Sequence, residues 1–187
     1  MKETEWAKLI ANKLDAELKQ QDQSLSIEAG VRLMYANEIK EYTEAEPIYN
    51  TMKYETDFLV YESRNSKLYK PRVVIETKIE SITTHDAITY SQKASTHKYV
   101  HPYLRYGIFL GKRDHYPLPG RLFRHGAHFD FMLSWRDYET EPCEWKSLKD
   151  IISSEVESSR KLEEMIFNSR NKERKQYTIL HKQLITH

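Results

Sequence analysis

A single cysteine, Cys143, stands in a chain of 187 residues. A disulfide framework and a cysteine zinc cluster are therefore both excluded, and a reducing cytosol is the compartment it fits. No apolar run approaches the ~18 residues of a membrane span. The first residues are charged rather than signal-like, so neither membrane insertion nor secretion is expected, and the expected location is cytoplasmic. Neither sign of charge dominates: 29 Lys and Arg face 28 Asp and Glu, a net of +1. That balance excludes a uniformly basic coat, so any nucleic-acid binding must come from a local patch. The five glycines form no nucleotide-binding loop, and no catalytic serine or thiol motif offers an alternative chemistry. The length suits one domain with a helical appendage and is enough to bury a core.

The informative stretch is Tyr54 to Ile79. Apolar and aromatic residues fill Phe58 to Tyr61 and again Val73 to Ile75, while Arg64, Asn65, Ser66 and Lys67 between them have turn chemistry. This predicts a β-hairpin centred on Ser66 and Lys67. Antiparallel pairing then sets Asp57 opposite Glu76, and the two-residue period of a strand puts Lys78 on the face of Glu76. Two carboxylates and one ammonium on one face suit a hard divalent cation, which prefers oxygen ligands and takes one or two carboxylates plus water and phosphate. A lysine beside it can position a water or stabilise charge on a phosphate as the ammonium, or deprotonate the water as the neutral amine.

An acid two residues before a lysine is common in a chain that is 30% charged. Glu38/Lys40, Glu144/Lys146 and Glu173/Lys175 repeat the pattern. Only Glu76/Lys78 ends a β-type run and has an acid on a preceding strand at hairpin distance. The competing reading is a solvated strand face with a surface salt bridge, worth about 0 to 1 kcal/mol.

Asp57 followed by Glu76-Thr77-Lys78 resembles the motif of the PD-(D/E)XK nuclease superfamily, with Thr56 where the motif's proline stands. The resemblance implies an α/β, mixed-sheet restriction-endonuclease-like fold with an αβββαβ core, preceded by an N-terminal helix and followed by a C-terminal helical extension. It implies Mg²⁺, with Mn²⁺ as a substitute, bound by Asp57, Glu76 and the Thr77 carbonyl, with Lys78 orienting the water. It also implies a further acid from a helix before the hairpin. Glu38 is the position for it, with Glu28 as second choice.

The flanking segments read as follows. Residues 3 to 20 form an amphipathic helix with Trp6, Leu9, Ile10, Leu14 and Leu18 on its apolar side. A second helix is expected from Ile27 to Tyr42, where Ile27, Val31, Met34, Tyr35, Ile39 and Tyr42 make a stripe with Glu38 near its middle. Glu41 to Met52 reads as loop, the resemblance leaving room there for one more strand. Thr83 or Thr84 caps a helix running to about Val100, and Arg105 to Gly111 is a short apolar strand. Gly111 to Gly126 reads as a long, basic, Pro/Gly-punctuated loop, and His128 to Leu133 alternates like a strand. From Trp145 onward the pattern is helical. The expected organisation is a nuclease-like domain over 1–140 and a helical extension over 141–187 that closes over the domain or pairs with a second copy.

Positive charge collects after the hairpin, interleaved with aromatic residues and histidines, as expected where phosphates are neutralised and bases packed. Lys93, Lys98, Arg105, Lys112, Arg113, Arg121 and Arg124 are the DNA contacts expected from this charge, and the nuclease resemblance implies that Gln92 or Lys93, on the helix after Lys78, lies near the scissile phosphate. The activity the resemblance implies is that of a Mg²⁺-dependent endonuclease on double-stranded DNA, acting as a homodimer in restriction or another defence role. The alternatives are a repair or recombination nuclease, a nuclease subunit of a larger complex, or a nucleic-acid-binding protein that does not cleave.

Overall fold

In the computed structural model, which describes residues 1–65, 68–114, 117–168, 170, 172 and 173, the chain is a mixed α/β protein. Its elements in order are α1 (Glu3–Gln21), β1 (Leu25–Tyr42), β2 (Pro47–Asn65), β3 (Leu68–Ile79), α2 (Thr84–Val100), β4 (Arg105–Gly111), α3 (Gly120–His125), β5 (Phe131–Ser134) and α4 (Pro142–Phe167). The five strands lie side by side in chain order. β1, β2 and β3 pair antiparallel, and β4 and β5 continue the sheet parallel to β3. The crossover from β3 to β4 is made by α2, as a parallel pair requires.

Each sheet face carries its own apolar layer. Phe58, Val60, Val73, Ile75 and Phe109 point to one side, where Trp6, Ile10, Leu14 and Leu18 of α1 and Leu148, Ile152 and Val156 of α4 cover them. Leu59, Val74, Tyr106 and Ile108 point to the other, against Ala87 and Ala94 of α2, with Leu122 of α3 and Ile82. Strands buried on both faces read as continuous apolar runs, which is why Phe58 to Val60, Val73 to Ile75 and Ile108 to Leu110 lack a polar alternate. Each such side chain contributes roughly 1.5 to 3 kcal/mol by leaving water.

Helix starts follow local chemistry. In α1 the Glu5 carboxylate accepts the Lys2 backbone N–H at 3.2 Å, and Leu9, expected on the apolar side, is exposed. In α2 the Thr83 hydroxyl accepts the Asp86 N–H at 3.1 Å while the Asp86 carboxylate accepts the Thr83 N–H at 2.8 Å, a reciprocal cap. α4 is fastened by charge as well as by its apolar side. Arg72 of β3, only 3% exposed, pairs with Glu62 and, at 2.8 Å, with Glu163, while Arg160 reaches Asp22 at 2.7 Å.

Residues 27 to 42, expected as a helix, are strand β1. The positions that fit a helical stripe also fit alternation: Leu25, Ile27 and Ala29 belong to the α1 side, Val31 and Leu33 to the α2 side. The change of side falls at Gly30, whose φ of +75° is open to glycine without strain. β-Branched Ile27, Val31 and Ile39 and a partner in β2 along the strand, with two register irregularities, outweigh helix propensity, which is a weak preference beside tertiary pairing. The expected loop from 41 to 52 is correspondingly the turn and opening of β2. The 111–126 loop contains helix α3, and the last strand starts at Phe131. The readings at Ser66 and Lys67, and at Tyr177, Ile179, Leu180 and Leu184, lie outside the described residues. Among the described residues no helix is long and apolar enough to cross a membrane.

Candidate functional site

Asp57 and Glu76 meet where β2 and β3 part. The ladder between these strands includes Asn65 opposite Leu68 and ends with Phe58 opposite Ile75, so the register expected from the turn is the one formed. One residue further, the Asp57 side chain replaces a backbone acceptor. Its Oδ2 takes the Thr77 N–H at 2.7 Å and the Thr77 hydroxyl at 3.0 Å. Hydrogen bonds to an ionised carboxylate are the stronger kind, and two of them fix its orientation at the fork.

Glu76 faces the α2 side and is 1% exposed. Its Oε1 accepts the Tyr106 hydroxyl at 2.5 Å and lies 3.6 Å from Lys93 Nζ. Burial pushes the carboxyl up, Lys93 opposes this, Asp57 adds to it and the Tyr106 hydrogen bond counters it, leaving Glu76 at about 7. Tyr106 is held well above the ordinary phenol value by burial and by Glu76, so it remains a donor. A carboxyl poised in this range is what functional sites use burial and like charge to produce.

Lys78 stands one period beyond Glu76. Its Nζ is 3.4 Å from Glu3 Oε1 of α1 and 5.4 Å from the centre of the Tyr90 ring. Burial alone would lower this ammonium, but Tyr90, Glu3 and Asp86 outweigh it and hold it above its ordinary value. Lys93 lies over the same Tyr90 ring at 5.1 Å and over Tyr54 at 5.5 Å. Two ammonium groups thus share one aromatic ring beside two carboxylates. Behind Tyr54 sits a closed aromatic group: Tyr35 stacks on it at 3.8 Å, and His97 packs against both and against Tyr106. Burial lowers His97 to about 4, so it is a neutral packing residue.

Of the expected residues, the fold therefore brings together Asp57, Glu76, Thr77, Lys78 and Lys93. Glu38 is not among them. It is an exposed residue of β1 opposite Asn50, seven positions along β2 from Asp57, or roughly 23 Å at strand rise. The expected helix would have carried it on an apolar stripe; the strand carries it away. Glu28 lies opposite Leu59 and accepts the Tyr61 hydroxyl at 2.6 Å.

The expected DNA contacts divide by position. Lys112, Arg113 and Arg121 gather around the segment after Lys78: Lys112 pairs with Glu80 at 2.8 Å, Arg113 donates to the Glu80 carbonyl, and Arg121 donates to the Ile82 carbonyl at 3.0 Å. Arg124 is exposed on α3, and Gln92 is exposed beside Lys93 on α2. Lys98 and Arg105 belong to the other end of the sheet, both paired with Asp130, at 2.8 and 3.1 Å, and Arg105 also with Glu155 at 2.5 Å.

Hard oxygen donors are what the fork offers a cation. Asp57 uses Oδ2 and Glu76 uses Oε1 in the bonds above, which do not engage Oδ1 or Oε2. Two carboxylates with water and phosphate suffice for Mg²⁺. Among the described residues there is no cluster of three or more His, Cys, Asp or Glu able to hold a metal.

Tyr106, Tyr90, Tyr54 and Glu3 escape a reading of the sequence. Tyr106 carries the one available signal: a hydroxyl inside the apolar run from Arg105 to Gly111 needs a buried partner. No family model matches the chain, and no curated protein matches it significantly.

Proposed function

We propose that this chain is a Mg²⁺-dependent endonuclease of the restriction-endonuclease-like fold, acting on duplex DNA in restriction or another defence role. The observation that carries the reading is the fork itself. Asp57 and buried Glu76 converge there with the ammonium groups of Lys78 and Lys93, on the motif Asp57, Glu76-Thr77-Lys78. The order α1-β1-β2-β3-α2-β4 supports it, with α1 rather than the helix expected at 27–42 standing first in the αβββαβ order the resemblance implies.

In this reading Asp57 and Glu76 would hold the cation, with the Thr77 carbonyl as a further donor. Bound there, Mg²⁺ supplies Lewis-acid stabilisation and a more acidic water. Lys78, held charged, would orient a water and meet negative charge on the phosphate rather than take a proton. Lys93 balances Glu76, and Tyr106 holds its carboxylate in place. Lys112, Arg113, Arg121 and Arg124, beyond Lys78, grip the flanking backbone. Two copies would present one site to each strand.

A binding role without cleavage is the second reading, favoured by the engagement of Lys78 with Glu3 at 3.4 Å. Incubation of purified protein with supercoiled plasmid, with Mg²⁺ and with chelator, separates the two. The nuclease reading requires nicked or linear product only with the cation, ending in 5′-phosphate and 3′-hydroxyl. Retention of DNA without any product supports the second reading. Mapping the ends then separates specific restriction from general nucleolysis.

A further inference from the structure

The strands that open the sheet outrun it. β1 and β2 stay paired as far as Tyr42 opposite Pro47, and every residue from 37 to 51 is exposed. The tip is well made: the Thr43 hydroxyl accepts the Glu46 N–H at 3.0 Å, and Thr43 N–H donates to the Glu46 carbonyl at 3.0 Å. An isolated two-stranded ribbon is at best marginally stable in water, so this arm is short of a covering surface.

Its two faces differ. Ile39 lies directly opposite Tyr49, and Asn37 opposite Thr51, whose hydroxyl donates to the Asn37 side chain at 3.0 Å. A one-residue irregularity at Lys40 returns Tyr42, opposite Pro47, to this same face. Tyr42 is 75% exposed, Tyr49 54% and Ile39 51%. The other face carries Glu38 and Glu41 with Ile48, Asn50 and Met52. With Glu44 and Glu46 at the tip, the acids of the distal arm outnumber its single base, Lys40. A polyanion is therefore a poor occupant, because phosphate contacts need positive charge.

We infer that the apolar face formed by Ile39, Tyr42, Pro47 and Tyr49 is the contact through which two copies of this chain associate, arm against arm about a two-fold axis. A symmetric contact brings the same patch to itself. When the arms cross antiparallel, the acidic tip of one meets the base of the other, where Arg32 and Lys53 are exposed beside a single acid, Glu55, opposite Arg32. The face offers on the order of 500 Å² per copy, hence about 1,000 Å² in a two-fold contact, where specific interfaces begin. Aromatic residues at such a centre carry most of the affinity. The inference is independent of the nuclease reading, although β2 continues from the arm into Tyr54 and Asp57, so the contact would set the spacing of two sites.

The test is the mass of the full chain by light scattering and sedimentation at micromolar concentration, without DNA or divalent cation. Wild type is expected to be a dimer. Tyr49→Ala and Tyr42→Ala should each weaken it about 30-fold, and Ile39→Asp combined with Tyr49→Asp should leave a monomer with an unchanged circular dichroism spectrum. Ile48→Ala, on the opposite face, should leave the dimer intact. A monomeric wild type overturns the inference. So does a dimer that resists the apolar-face substitutions or that Ile48→Ala weakens equally. Loss of DNA affinity in Tyr42→Ala from a monomeric wild type would assign the arm to nucleic acid instead.

Discussion

Replacing Glu76 by glutamine should make the metal-free protein more stable at neutral and alkaline pH, although it removes a residue the site needs. Glu76 is almost fully enclosed, and burial is the leading reason its carboxyl rises from 4.5 to about 7. A group raised on folding contributes its full stability below its unfolded value and loses it as pH climbs through the folded value. For Glu76 the decline spans roughly pH 4.5 to 7, and at ~1.4 kcal/mol per pH unit the loss above pH 7 is about 3 kcal/mol. Glutamine carries no charge to bury and can still accept the Tyr106 hydroxyl with its side-chain oxygen. Urea denaturation between pH 4 and pH 8.5, in chelator, should show the two proteins close together in acid and Glu76→Gln ahead by 2 to 3 kcal/mol, as an order of magnitude, at pH 8. Saturating Mg²⁺ should raise wild type by about 2.7 kcal/mol at a hundredfold excess over Kd and raise the variant much less. A difference that does not vary with pH, or a variant weaker than wild type at pH 8, would refute the assignment of an electrostatic penalty to this carboxylate.

Lys78→Ala should lower cleavage by orders of magnitude while leaving DNA affinity, measured in Ca²⁺, nearly unchanged; collapse of affinity with an intact cleavage rate would remove its chemical role. Neutralising Lys112, Arg113, Arg121 and Arg124 together should flatten the dependence of log affinity on log salt by about 0.9 for each phosphate that is no longer neutralised, and an unchanged slope and sequence preference would show that this segment does not hold DNA. Gly30→Ala tests the backbone at the side change in β1. A Cβ there meets only Glu55 Oε1 at 3.7 Å, an ordinary approach, so the expected destabilisation of about 1 to 2 kcal/mol comes from the left-handed φ alone, and an unaltered denaturation midpoint would contradict it.

The hairpin is legible in the sequence because two kinds of signal agree on it. Turn residues from Arg64 to Lys67 fix a centre, and apolar runs on either side allow one register, which puts Asp57 beside Glu76. The register survives two irregularities between β2 and β3 because they compensate. β1 reads wrongly for the opposite reason: Ile27, Val31, Met34, Tyr35, Ile39 and Tyr42 satisfy a helical period, and the strand's own alternation is masked by the change of side at Gly30. Glu38 goes astray with it. Contacts between elements distant in sequence leave little local mark: the Tyr106 hydroxyl inside an apolar run signals a buried partner but does not name Glu76. Lys98 and Arg105 likewise read as phosphate contacts, although Asp130, many residues on, holds both.

The central claim is that the Asp57–Glu76 fork supports hydrolysis of DNA with Mg²⁺. It is tested most directly by supercoiled-plasmid cleavage with wild type and Asp57→Ala purified in parallel, each with Mg²⁺ and with chelator. The account predicts cut plasmid only from wild type with Mg²⁺, with the variant as well folded by circular dichroism and inactive in both conditions. Equal cleavage by the two proteins, or none by wild type in either Mg²⁺ or Mn²⁺, would contradict it.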